Sequence, residues 1–165
     1  MADRDSFTAD EWTLLRVTPS FVAVGVAAAD ASGLFTSLRE TLAGVSEIAA
    51  AHAAHPDLGL FAAFATDHSV PRLPEIDEFI GKGSKETQLQ NFKAACLEQI
   101  RAAVAVLTSK ATTAETDAYR TLLVRVAERA ANAAKEGGFL GLGGVRVSAQ
   151  ERAFIDSVRK SAGIE

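Results

Sequence analysis

The hydrophobic positions of this chain recur at helical spacing over most of its length. The clearest stretch carries Leu89, Phe92, Cys96, Ile100, Ala103 and Leu107, whose separations of 3, 4, 4, 3 and 4 residues line up on one face of a helix. Residues 113–134 carry Tyr119, Leu122, Leu123, Val126, Ala130 and Ala133 in the same fashion, with Gly137 and Gly138 placed to end the helix. Over 149–162 the pattern predicts that Phe154, Ile155 and Val158 face inward, and Gly163 stands at the stop. Upstream, residues 34–54 repeat Leu38, Leu42, Val45, Ala49 and His52 on one face until Pro56 ends the pattern. A short helix over 57–65 brings Phe61 and Phe64 one turn apart. Pro71, Pro74, Gly81 and Gly83 then punctuate a long connection in which 74–80 predict one or two helical turns.

The start signals agree with this periodicity. Thr8-Ala9-Asp10-Glu11 and Ser148-Ala149-Gln150-Glu151 both read as capping boxes, a hydroxyl at the N-cap answered by a carboxylate three residues on. Phe7 and Trp12 hold the positions of a hydrophobic staple, so a helix is expected from about Ala9. Pro19 lacks an amide proton and its ring collides with the preceding turn, which predicts a break near Val17 or a kink. Thr18 and Pro19 then suit the N-cap and first position of a second helix. Residues 21–29 are apolar on every side, the pattern of a helix surrounded by others. The expected fold is all-α, a single-domain irregular bundle of six to seven helices over residues 8–165, with 1–7 as a short tail.

An internal echo adds one feature. Val22, Ala23, Ala27, Ala29, Gly33 and Phe35 recur as Val126, Ala127, Ala131, Ala133, Gly137 and Phe139, all offset by 104 residues. In an alanine-rich helical chain such matches also arise by accident. If they descend from a duplication, two related helical hairpins would pack about a pseudo-twofold axis.

Composition narrows the class. Alanine accounts for 32 of 165 residues and is the best helix former, so strands have little to build from. With 48% hydrophobic and 23% charged residues and four prolines, the chain has the balance of a globular domain. Its net charge of -4 mixes 17 basic with 21 acidic residues, and no basic run could track a phosphate backbone, which argues against a nucleic-acid partner. Cys96 is the only cysteine, so neither an intramolecular disulfide nor a thiolate zinc site is available, and a reducing cytoplasm fits best. The first six residues are polar and acidic, unlike a secretory signal. The longest strongly apolar run has nine residues, about half of the ~20 that a membrane-spanning helix needs.

Candidate chemistry is sparse. The cluster Gly137-Gly138-Phe139-Leu140-Gly141-Leu142-Gly143-Gly144 superficially resembles a phosphate-cradling loop. It follows a helix instead of a strand and lacks the closing Gly-Lys-Ser or Gly-Lys-Thr. A helix stop followed by a tight connector is the commoner reading. Phe139, Leu140 and Leu142 are then the unusual feature, since a solvent loop has no need of them; they either plug the domain or meet a partner. His52 and His55 lie within one turn, and a metal would need a third donor such as Asp57, Asp67 or His68, but a packing histidine is far commoner than a ligand. Glu75, Asp77 and Glu78 form a local acidic patch of the kind that is usually solvated. Cys96, in step with Phe92 and Ile100, reads as a small core hydrophobe. No serine, histidine and acid arrangement stands out, and no cofactor is predicted.

Two stretches carry a resemblance. Phe7-Thr8-Ala9-Asp10-Glu11-Trp12, and the run from Glu136 through the glycine cluster to Val145-Arg146-Val147-Ser148-Ala149-Gln150-Glu151, resemble uncharacterised bacterial helical proteins and, more weakly, TerB-like tellurite-resistance domains. Those domains are helical, with two hairpin-like halves and paired motifs of Ala-Asp-Gly, a short spacer, then Ser and Glu, whose acids are associated with metal binding. Here Ala29-Asp30 keeps the acid without the adjacent glycine, and the run from Gly144 to Glu151 keeps the spacer and glutamate without the aspartate. The resemblance therefore implies Asp30 and Glu151 alone as oxygen donors for a hard cation.

Two functions follow as expectations. One is a non-enzymatic interaction module, self-associating or binding a protein partner through Phe139, Leu140 and Leu142. The other is a helical domain that binds a metal or a small hydrophobic ligand in a pocket near Phe61, Phe64 and Phe92.

Overall fold

A computed structural model of the chain describes residues 1–29, 50–51, 53–69, 77–136 and 147–164. A short 3-10 turn (Arg4–Ser6) precedes α1 (Ala9–Ala27), followed by α2 (Gly59–Thr66), α3 (Asp77–Ile80), α4 (Lys85–Lys110), α5 (Thr113–Glu136) and α6 (Ala149–Ala162). Residues 50–51 and 53–54 are also helical, and no strand occurs among the described residues. The all-α expectation holds. Among the described residues five helices pack together, α1 against α4, α5 and α6, with α3 on α4, fewer than the six to seven expected. Most of the segment expected over 34–54 lies outside the described residues.

The capping boxes at Thr8 and Ser148 form as read. Thr8 accepts from the Glu11 amide while Glu11 accepts from the Thr8 amide, and Ser148 and Glu151 do the same for α6. The staple also closes, with the Phe7 and Trp12 rings 5.8 Å apart. Gly163 ends α6 in the left-handed region at φ 75°, a conformation that costs glycine little.

The expected break at Pro19 does not occur: α1 runs through it, so the two helices expected over 9–29 are one. The reason lies in another element. Proline at this position leaves the Leu15 carbonyl without its helical donor, a deficit that helps make interior prolines cost ~3 kcal/mol. The buried Tyr119 hydroxyl of α5 donates to that carbonyl at 2.7 Å, and the Thr18 hydroxyl donates to the Leu14 carbonyl, also at 2.7 Å.

The core is continuous across these helices. Phe21, Val22, Ala23 and Val26 of α1 are buried with Cys96, Ile100 and Leu107 of α4, Leu122, Leu123 and Val126 of α5, and Phe154 and Val158 of α6. Small residues let the backbones approach. A Cβ added to Gly25 of α1 would stand 2.6 Å from the Phe154 ring, so the seat of α6 on α1 depends on glycine there.

The spacing of the internal echo recurs in two places. α1 begins at Ala9 and α5 at Thr113, 104 residues apart, each after a threonine N-cap with glutamate three residues on. Leu15 and Tyr119, again 104 apart, are joined by the hydrogen bond from the Tyr119 hydroxyl to the Leu15 carbonyl. Of the echo positions named above, Gly33, Phe35, Gly137 and Phe139 lie outside the described residues.

Candidate functional site

Two places gather unusual side chains: a buried carboxylate where three segments meet, and a charged cleft between α5 and α6. At the first, α5 starts with Thr112-Thr113-Ala114-Glu115, a capping box of the same form as the one at Thr8. The Thr112 hydroxyl accepts from the Glu115 amide at 3.2 Å, and Glu115 Oε2 accepts from the Thr112 amide at 3.0 Å and its hydroxyl at 2.8 Å. Unlike an ordinary capping acid, Glu115 is fully buried, at 0% exposure.

Its remaining capacity serves other segments. The N-cap of α2, Leu58, provides no side-chain acceptor, and the Leu60 amide in the first turn of α2 donates to Glu115 Oε1 at 3.1 Å. The Ala2 nitrogen lies 3.0 Å from Oε1 and 3.1 Å from Oε2. One carboxylate thus caps its own helix, caps α2 and holds the N-terminal segment. Burial acts to raise the Glu115 carboxyl, but the donors from Thr112, Leu60 and Ala2 outweigh it and hold the group below the ordinary glutamate range.

Nearby, the end of α2 is clamped to α1. Asp67 accepts from the Trp12 indole at 2.6 Å and from Arg16 at 3.0 Å, while Arg16 also donates to the carbonyls of Asp67 and Ser69. Hydrogen bonds from Ser69, then from Trp12, push the Asp67 carboxyl far below the usual carboxylate range. Every donor of this cluster is directed at the chain itself, so it reads as a latch for residues 67–69.

The cleft has different chemistry. It encloses about 370 Å³ between α5 and α6 and opens to solvent. Ala131, Val147 and Ile155 form its apolar part, and Glu128, Asn132, Arg152, Asp156 and Arg159 complete its lining. Arg159 is paired with Glu128 across the two helices. The chain leaves α5 at Glu136 and is described again from Val147, on the cleft wall, so residues 137–146 connect its two sides.

The residues singled out from sequence distribute as follows. Phe139, Leu140 and Leu142 lie outside the described residues, as do Asp30, His52 and Glu75. Glu151 is buried, with one oxygen accepting from the Ser148 amide at 2.7 Å, its part in the cap of α6. Phe61 and Phe64 meet edge to face at 6.1 Å, and Phe64 also contacts Trp12 and Tyr119. Phe92 instead contacts Phe21 at 5.6 Å, so the three phenylalanines divide between two aromatic clusters. His55 and His68 are exposed, and His55 lies 6.2 Å from the Phe61 ring. Among the described residues no group of three or more His, Cys, Asp or Glu could hold a metal ion. Cys96 is buried among apolar side chains, which pushes its thiol up to about 12, the state of an inert core residue. No described helix is long and apolar enough to cross a membrane.

Glu115 was not among the residues singled out from sequence. A signal for it exists: Thr112-x-x-Glu115 repeats Thr8-x-x-Glu11 at the same offset of 104 that relates Val22 to Val126. No family model, curated protein or solved structure matches the chain.

Proposed function

We propose that this protein is a non-enzymatic helical interaction module that associates with itself or with a protein partner through Phe139, Leu140 and Leu142. The α5–α6 cleft supports the reading: its lining mixes the apolar Ala131, Val147 and Ile155 with the polar Glu128, Asn132, Arg152, Asp156 and Arg159, the combination found at protein interfaces. The connector bearing the three hydrophobic residues joins the two walls of that cleft. Large apolar side chains on a glycine-rich connector leave water when a partner covers them.

Sedimentation and pull-down test it. The intact chain is expected to self-associate or to capture partner proteins, and Phe139→Asp and Arg152→Glu are each expected to abolish the association. A chain that sediments as a monomer, and whose Phe139→Asp variant retains every captured protein, overturns the reading.

A second reading is a small-ligand site, placed in the α5–α6 cleft and not near Phe61, Phe64 and Phe92 as expected from sequence; the cleft volume of about 370 Å³ lies inside the ~300–1,000 Å³ usual for such sites. Its metal-binding form would use Asp30 and Glu151. Calcium, zinc and small hydrophobic ligands that leave the melting temperature unchanged, with no metal found by elemental analysis, would dismiss it.

A further inference from the structure

The donors around Glu115 are unusual in one respect. A buried carboxylate is stable when it is paired with a cation or saturated by hydrogen bonds. Every recorded partner of Glu115 among the described residues is neutral: three backbone amides and one hydroxyl. One of those amides is shared between two acceptors. The Ala2 nitrogen sits within hydrogen-bonding distance of both carboxylate oxygens, at 3.0 and 3.1 Å, with a single amide hydrogen divided between them. An ammonium at the same nitrogen would offer a hydrogen to each oxygen and add a positive charge.

Burial changes abruptly at this point. Ala2 is 2% exposed, whereas Met1 is 82% exposed, the one large hydrophobic residue among those described that stands out in solvent. Gly59 faces both residues: a Cβ there would lie 2.4 Å from the Met1 Cγ and 2.6 Å from the Ala2 carbonyl oxygen. Residue 2 is thus buried, while residue 1 lies over Gly59 and keeps most of its surface in solvent.

We propose that the Met1–Ala2 peptide bond is a processing site, and that its hydrolysis turns the Ala2 nitrogen into an ammonium that forms a bidentate ion pair with the buried Glu115 carboxylate. Water supplies the hydroxyl to the Met1 carbonyl carbon and a hydrogen to the Ala2 nitrogen as the C–N bond breaks. The new amine then takes a proton from solvent, and no electrons change hands. The bond to be cut is the same whether Met1 opens the chain or follows a longer segment. Access precedes folding: Ala2 and Glu115 are 113 residues apart, so at ~5–20 residues per second the bond stays exposed for ~6–20 s before its receptor is made. The small Ala2 side chain places no bulk beside the scissile bond. Charge-assisted hydrogen bonds are roughly twice as strong as neutral ones, so the cut chain gains stability from the same geometry.

The test starts from the chain expressed from Met1 and its intact mass. A product lighter by one methionine, with a free amine, is expected. In the folded protein that amine should resist acylation by an N-hydroxysuccinimide ester and react once urea unfolds the chain. The processed form should melt several degrees above a Met1-retaining form prepared with the aminopeptidase inhibited. That advantage should be complete below the unfolded α-amino value of ~8 and vanish as pH rises through the higher folded value. In Glu115→Gln the two forms should melt alike; if that variant fails to fold, acylation of the unmutated chain decides. Retained Met1, an acetylated Ala2, or an amine that acylates equally fast folded and unfolded overturns the proposal.

Discussion

α1 and α5 begin with the same four-residue device and use it differently. At Thr8 the box faces solvent: Glu11 accepts from the Thr8 amide and pairs with Lys110 at 2.6 Å, both side chains partly exposed. At Thr112 the threonine stays at the surface but its glutamate is buried: Glu115 makes the same local bonds, then also takes the amides of Leu60 and Ala2. Each glutamate reaches the segment just before the other helix, Glu11 to Lys110 and Glu115 to Ala2. A capping acid at the surface serves one helix, since water supplies whatever else it needs. Glu115, cut off from water, is saturated by protein and is the joint of three segments, whereas the buried Glu151 is recorded only in the cap of α6.

Substitutions at the two boxes should therefore separate widely. Glu115→Ala strands the buried amides of Ala2 and Leu60, each worth about 1–3 kcal/mol when unsatisfied, so urea denaturation is expected to show a loss of about 2–6 kcal/mol. Amide exchange at Ala2 and Leu60 should accelerate with it. Acid sharpens the contrast. Because the Glu115 carboxyl is depressed in the fold, its stabilisation is full above the unfolded value of ~4.3 and is lost as pH falls through the folded one. Urea midpoints should fall more steeply with acid in the unmutated chain than in Glu115→Gln, and parallel slopes would contradict this assignment.

Gly59→Ala is expected next, at ~1–3 kcal/mol from overpacking, because the new methyl would stand 2.4 Å from the Met1 Cγ and 2.6 Å from the Ala2 carbonyl oxygen. Tyr119→Phe should cost about 1–2 kcal/mol by leaving the Leu15 carbonyl without a donor. Adding Pro19→Ala restores a helical amide for that carbonyl, so the double variant should recover most of the loss. A double-mutant cycle with no coupling would show that the hydroxyl does not support α1. Thr8→Ala is expected to be smallest, about 1 kcal/mol, since water can replace the lost cap. If it matched Glu115→Ala, burial would not be what distinguishes the boxes.

Much of the helical framework was legible. The bounds of α6 follow from Ser148, Glu151 and Gly163, and the stripe from Phe92 to Leu107 is the buried face of α4. The contact of Phe61 with Phe64 follows from their spacing on one helix. The site was less legible for a physical reason: a capping motif reads the same whether solvent or protein surrounds it. Thr112-x-x-Glu115 announces a helix start and says nothing of Leu60 or Ala2. Phe92 could not be assigned to the Phe21 cluster by periodicity, which reports a face and not what lies opposite.

Local chemistry along the chain was enough to determine where α1 and α6 begin, which faces are apolar and that glycine stops α6, because each of those preferences acts within about one turn. Only the tertiary structure decided that α1 continues through Pro19 and that Glu115 is buried as a joint. Both depend on donors contributed from more than 50 residues away, the Tyr119 hydroxyl in one case and the Leu60 and Ala2 amides in the other. Contacts of that range exist only after the helices have packed.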